Sequence, residues 1–168
     1  RRCRELVSED VMKQAPGWAE SATRMNALYP APTEDDVKWA DAVVFGSPTR
    51  FGMVSSELKA FMDTLGALWF RGKLNLKVGS VFTATQTTHG GNETTALTMF
   101  APLAHFGMVI VPPGYGDPAM FKGGTPYGAT AISGGKPDAK PSADDLNVAR
   151  YQGRRVTQVA AALKPLRV

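Results

Sequence analysis

Ala42-Val43-Val44-Phe45-Gly46-Ser47-Pro48-Thr49-Arg50-Phe51-Gly52 is a short apolar run that stops in a Gly-Ser-Pro-Thr turn, with a helical pattern following at once. An apolar run without polar alternation reads as a strand buried on both faces, the condition of strands in a parallel sheet. Such a strand delivers its next loop to the carboxyl edge of the sheet, where open α/β folds bind ligands. This loop brings backbone amides, a hydroxyl, a guanidinium and an aromatic ring together within four residues. It suits a flat, polar, partly anionic ligand. Pro48 fixes a backbone angle, and Gly46 and Gly52 are read as places where the chain adopts conformations a side chain would forbid. Phe51 is placed to pack on a planar ring and Arg50 to sit near negative charge. A capped strand-to-helix turn with a solvated arginine would need the same residues, so this loop does not decide the matter alone.

Working outward, residues 8–36 read as loop, with Pro16, Gly17, Pro30 and Pro32 interrupting any long element. Thr33-Glu34-Asp35-Asp36 opens a short helix reaching Asp41: a hydroxyl cap followed by acids in the first turn. Residues 55–68 read as a helix with Leu58, Phe61, Met62 and Leu65 on its inner face. Residues 78–85 form the next strand, which ends in the polar loop Gln86-Thr87-Thr88-His89-Gly90-Gly91-Asn92-Glu93. Residues 94–106 form a helix with an apolar face of Leu97, Phe100, Leu103 and Ala104, kinked by Pro102. Residues 108–111 form a third strand, and Ile132 closes a short final one. Residues 112–141 are rich in Gly and Pro and too long for an ordinary connection, which points to function or an interface. A last helix runs from Ser142 to about Leu163, with Leu146, Ala149, Val156 and Val159 inward. Strand and helix alternate, which argues a parallel sheet with right-handed crossovers. The loops after Phe45 and Thr85 then lie side by side, and two adjacent polar loops carry more weight than either alone.

The chain has 168 residues, enough for one domain with a real core, and a net charge of +4. Its basic excess sits at the two ends without interleaved aromatics, so solvated surface is favoured over a nucleic-acid face. No apolar run approaches a membrane span, and no signal peptide is visible. The single cysteine, Cys3, excludes an intramolecular disulfide and fits a reducing cytoplasm. One cysteine and two histidines leave little for a metal site. His89 lies in the candidate loop. His105, beside Gly107, reads first as a helix-terminal residue, and Trp69 and Phe70 read first as core. No nucleophile elbow or paired carboxylates appear, so a bound cofactor would have to carry any chemistry.

Gly-Ser-Pro-Thr-Arg-Phe-Gly at 46–52, Leu-Ala-His-Phe-Gly-Met-Val-Ile-Val-Pro at 103–112, Gly-Gly-Thr-Pro-Tyr-Gly-Ala at 123–129 and Ala-Arg-Tyr-Gln-Gly at 149–153 resemble the WrbA-type NAD(P)H:quinone oxidoreductases. The resemblance runs from about residue 33 to the end of the chain. It implies a flavodoxin-like, doubly wound, three-layer α/β/α fold, bound FMN, and a homotetramer with residues 112–141 at an interface. It implies two-electron transfer from NADH or NADPH to quinones in a ping-pong cycle. It further implies that Thr49, Arg50 and Phe51 contact the flavin ring, and that Ala84, Thr85, Gln86, Thr87, Thr88, His89 and Gly90 lie along it. His105 becomes a flavin-site residue and Trp69 an aromatic wall near the substrate, contributed across a subunit interface. Gln86 to His89 departs from the family's glycine-rich version of the loop. The family also begins with a strand, a phosphate loop and a helix, so the resemblance implies that the sequence lacks an N-terminal βα unit of roughly 30 residues. Residues 1–7 would then belong to the second strand.

Two other readings compete. A non-enzymatic flavodoxin-type electron carrier shares the fold, but such carriers are usually acidic and this chain is basic. A transcription-regulating module would need a groove-reading basic face, and none is evident.

Overall fold

The computed structural model describes residues 1–136 and 139–167; Pro137 and Asp138, within the expected 112–141 insertion, and Val168 lie outside the described residues. Two helices occupy the stretch expected to be loop, α1 (Glu9–Met12) and α2 (Trp18–Leu28). The prolines there stand between helices. Gly17 caps α2 at φ +77°, and Pro30 follows just after its end. Residues 1–7 form no strand. α3 (Glu34–Trp39) begins as expected: the Asp36 N–H donates to the Thr33 hydroxyl at 3.2 Å and the Asp36 carboxylate accepts the Thr33 N–H at 2.9 Å.

β1 (Ala42–Pro48) pairs in parallel with β2 (Val78–Thr85), in register from Ala42 opposite Val78 to Pro48 opposite Ala84. On its other side β2 meets a strand in two pieces. β3 (Val109–Ile110) pairs with Val78 and Gly79, and β4 (Ala129–Ile132) pairs with Phe82 to Thr85, both in parallel. The third strand is thus shorter than expected, and the final strand ending at Ile132 is present.

Between β3 and β4, Ser80 and Val81 lack a strand partner on this side, and a side chain takes that place. The buried Gln152 amide donates to the Val81 carbonyl at 2.7 Å and to Ser80 Oγ at 2.7 Å, and accepts the Ala129 N–H at 2.7 Å. Ser80 Oγ in turn donates to the Val111 carbonyl at 2.6 Å. Gln152 belongs to α7 (Ala143–Leu163), whose buried face is Val148, Gln152, Val156 and Ala160. Leu146 and Ala149, expected inward, are exposed. The polar Gln152 is part of the true i, i+4 face, and an apolar count therefore rotates that face.

Helices cover both faces of the sheet. On one side α4 (Ser56–Thr64), α5 (Gly66–Phe70) and α6 (Asn92–His105) pack Leu58, Met62, Leu65, Ala96, Met99 and Leu103 against Phe45 and Val81. On the other, α7 packs Val156 and Ala160 against Val78 and Val111, and Val148 against Met120 and Ala129. The result is a three-layer α/β/α sandwich. The helix expected over 55–68 breaks at Leu65, whose ψ of 2° leaves the helical region. Within α6, Leu97 is exposed, and Ala96 and Met99 take the inward places expected of Leu97 and Ala104.

Among the described residues β1 pairs with β2 alone. Its other edge faces a groove of about 670 Å³, lined by Val44, Phe45 and Gly46 together with Arg2, Cys3 and Glu5.

Candidate functional site

β1 and β2 end side by side, and the loops that follow them meet at the carboxyl edge of the sheet. The Thr49 N–H donates to the Ala84 carbonyl at 2.9 Å, extending the β1–β2 ladder into the first loop. Arg50 and Met53 then exchange N–H···O bonds of 2.9 and 3.0 Å. The two residues between them, Phe51 and Gly52, sit at φ +54° and +78°. Two consecutive positive φ angles make the primed turn of a two-residue hairpin. This turn presents the Phe51 ring fully to solvent. The Ser47 hydroxyl accepts the Ser55 N–H at 2.9 Å and Ser55 Oγ accepts the Leu58 N–H, so the loop closes directly onto the start of α4.

Gly46 and Gly52 serve different ends. Gly52 supplies the positive φ. Gly46 supplies space: a Cβ there would lie 1.9 Å from the Phe82 ring, its cross-strand partner on β2.

The second loop is fixed by side chains of β2 and of the first turn of α6. The Thr85 hydroxyl donates to the Thr87 carbonyl at 2.9 Å and accepts the Asn92 amide N–H at 3.1 Å. The buried Asn92 accepts the Thr83 hydroxyl at 2.8 Å. Gly91 caps α6 at φ +95°, and a Cβ on it would approach the Gly52 Cα to 3.0 Å, so the two loops touch at glycine. A hydroxyl bond of 2.9 Å from Thr95 to Thr49 ties α6 to the first loop as well. No side chain caps α6, which leaves its first-turn N–H groups, with their positive dipole end, turned toward this junction.

The structure therefore brings together Thr49, Arg50, Phe51, Ala84, Thr85, Gln86, Thr87, Thr88, His89 and Gly90, the last seven on one continuous stretch. It does not bring in His105 or Trp69. His105 ends α6, thirteen residues or about 20 Å from its first turn. Trp69 and Phe70 end α5 near the amino edge and are 51% and 84% exposed, so neither is core. Sequence reading missed Asn92 and Thr95, three residues apart and hence on one face of α6. It also missed the turn after β4, where the Ser133 N–H donates to the Thr85 carbonyl at 2.9 Å and a Cβ on Gly135 would meet the Gln86 amide at 2.9 Å. The strand–Ser-Gly-Gly order at 130–135 was the available signal.

Chemically the site offers hydroxyls, backbone N–H groups, the exposed Arg50 guanidinium and the exposed rings of Phe51 and His89. These donors match the carbonyl oxygens and ring nitrogens of a planar heterocycle. Among the described residues no group of His, Cys, Asp and Glu is arranged to hold a metal ion.

Comparison with known proteins gives the same answer. Residues 21–117 match the NADPH-dependent FMN reductase family. The chain is 41% identical over 164 residues to the NAD(P)H dehydrogenase (quinone) of Trichlorobacter lovleyi, covering 95% of this chain and 79% of the relative. It is 44% identical over 168 residues to the protein of that name from Azorhizobium caulinodans, covering 97% and 81%. The crystal structure of a flavodoxin, WrbA-like protein from Agrobacterium tumefaciens superposes with a TM-score of 0.62 at 29% identity, over 76% of this chain and 71% of that one. Sequence relatives and a solved structure thus agree on the fold, and this chain belongs to the flavodoxin-like family of FMN reductases and WrbA-type NAD(P)H:quinone oxidoreductases.

Proposed function

We propose that the protein is an FMN-dependent NAD(P)H dehydrogenase (quinone), which reduces quinones by two electrons in a ping-pong order. The observation that carries this is the junction of the two loops at Gly52 and Gly91, with hydroxyls and free amides around it and the Phe51 ring exposed above it. FMN, when bound there, supplies the hydride chemistry. The protein's own part is to bind and orient. Thr49 and the neighbouring amides would hold the polar edge of the ring system. Phe51 would pack on the ring, and Arg50 would sit near its negative charge. Residues 84–90 would run along its length. The names of the two relatives, and of the family, support this choice of cofactor and substrates.

Trp69 and His105 lie at the other edge of the sheet from these loops, so they would reach a bound ring from a second subunit. This favours the homotetramer, with residues 112–141 at an interface, and gives Trp69 the role of a wall against the quinone. A further strand–loop–helix unit along the free edge of β1 would complete the sheet and bring the phosphate site. The free Cys3 suits the reducing cytoplasm.

The deciding experiment is a titration of the protein with FMN, followed by steady-state kinetics. A perturbed flavin spectrum, quinone-stimulated NAD(P)H oxidation and parallel double-reciprocal lines are expected. A protein that leaves the FMN spectrum unchanged and does not oxidise NAD(P)H would overturn the reading, and intersecting lines would overturn the ping-pong order.

A further inference from the structure

Thr95 is fully buried, and its hydroxyl donates to Thr49 Oγ1 at 2.9 Å. A helical threonine usually turns its hydroxyl back to the carbonyl four residues earlier. Here that carbonyl, of Gly91, already accepts the Thr95 N–H at 3.0 Å and the Thr94 hydroxyl at 3.1 Å. Both of its lone pairs are occupied. The Thr95 proton is therefore directed outward to Thr49, because a buried hydroxyl left without an acceptor is costly. Thr49 Oγ1 also accepts the Gly52 N–H at 3.1 Å. A hydroxyl oxygen has two lone pairs and one proton. With both lone pairs taken, the Thr49 hydroxyl can act toward a ligand only as a donor.

We propose that Thr95 is a positioning residue: it fixes the Thr49 hydroxyl as a hydrogen-bond donor, so that the site selects the acceptor edge of a bound ring, a carbonyl oxygen or an unprotonated ring nitrogen. The inference rests on the flavin reading of the site. It adds a rule for how the ring is turned, since a flavin edge carries both acceptors and an N–H, and only the acceptors can face Thr49.

The test uses Thr95→Val, which keeps the shape and removes the proton, and Thr95→Ser, which restores it. Two quantities are read: the FMN dissociation constant by fluorescence quenching, and the amide exchange rate of Gly52 in the ligand-free protein. Thr95→Val should weaken FMN binding about tenfold, a change of roughly 1.4 kcal/mol, and should speed Gly52 exchange. Thr95→Ser should return both to near wild type. A folded Thr95→Val protein in which either quantity is unchanged overturns the proposal. Should Thr95→Val not fold, the wild type decides by NMR: a slowly exchanging Thr95 hydroxyl proton close to Thr49 supports the assignment, and its absence overturns it. Failure of the wild type to bind FMN would overturn the flavin reading, and Gly52 exchange would still decide whether Thr95 holds Thr49.

Discussion

Phe51 holds a left-handed backbone conformation at φ +54° while its ring is fully exposed. For a residue other than glycine this conformation costs roughly 1–2 kcal/mol, and no buried contact of the ring offsets it. Strain retained at an exposed position is the mark of a residue kept for what it will touch. Phe51→Gly is therefore expected to leave the unfolding free energy from urea titration within about 1 kcal/mol of wild type, while FMN affinity falls several-fold. Loss of stability with unchanged affinity would contradict this account. Gly91→Ala should behave differently. It places a Cβ 3.0 Å from the Gly52 backbone at φ +95°, so stability should fall by about 1–3 kcal/mol and flavin binding with it. The motif glycines also show how far residues speak for themselves. A turn before a helix declares the positive φ of Gly52. The need for Gly46 is set by the Phe82 ring on the next strand, and no local pattern shows that. The place of Thr49, Arg50 and Phe51 in the loop after β1 was legible too, since the turn residues around them mark the end of the strand. Asn92 and Thr95 were not, because their value lies in hydrogen bonds to β2 and to the first loop.

Strands proved more legible than helix faces. Residues 42–45 are an apolar run closed by a turn, and 78–85 carry Val78, Val81 and Phe82 with three hydroxyl residues before a polar loop, so bounding turns and β-branched and aromatic residues mark both as strands. The face of α7 was misjudged because one of its four buried positions is an amide. That amide is structural: Gln152 makes three bonds of 2.7 Å, to Ser80, Val81 and Ala129. Gln152→Leu would leave the Val81 carbonyl and the Ala129 N–H buried and unpaired, a loss of about 2–4 kcal/mol that thermal unfolding would show. Gln152→Glu preserves the acceptor for Ala129 but turns a carboxylate oxygen toward the Val81 carbonyl. Burial and that contact raise the new carboxyl's folded pKa above its unfolded value. The group's contribution to stability is then present below its unfolded pKa and lost as pH rises through the folded one. The variant should recover midpoint on acidification over the range in which wild type loses it.

Across the whole molecule, four of the basic residues at the ends pair with carboxylates of the first 41 residues: Arg1, Arg2, Lys164 and Arg167. Lys164 and Arg167 both reach Asp41, at 2.9 and 2.5 Å, and fasten the end of the chain to the start of β1. Arg1 pairs with Asp36 at 2.5 Å, and Arg2 with Glu5. The hydrogen bond from Arg2 holds the Glu5 carboxyl at about 2, and bonds from Lys164 and Arg167 likewise lower Asp41. Thr33, more than Arg1, lowers Asp36. Groups with depressed folded pKa stabilise above their unfolded pKa and lose that contribution as pH falls through the folded value. Urea midpoints should therefore fall steadily from near pH 4.5 down to about 2, and added salt should flatten the part of the slope that comes from the exposed Lys164–Asp41 pair more than the part from the covered Arg2–Glu5 pair. A flat profile would show the end clamps to be idle. The split outer strand has a reach beyond stability. Because the Gln152 amide stands in for the missing stretch of backbone, the chain can leave the sheet after Val111 and rejoin it at Ala129 without opening β2. The intervening segment is in effect a cassette. A change in its length would leave β2 and the loops on the carboxyl edge in place, provided that Met120 still packs on Val148 and Ala129, and it would alter first the interface proposed for residues 112–141.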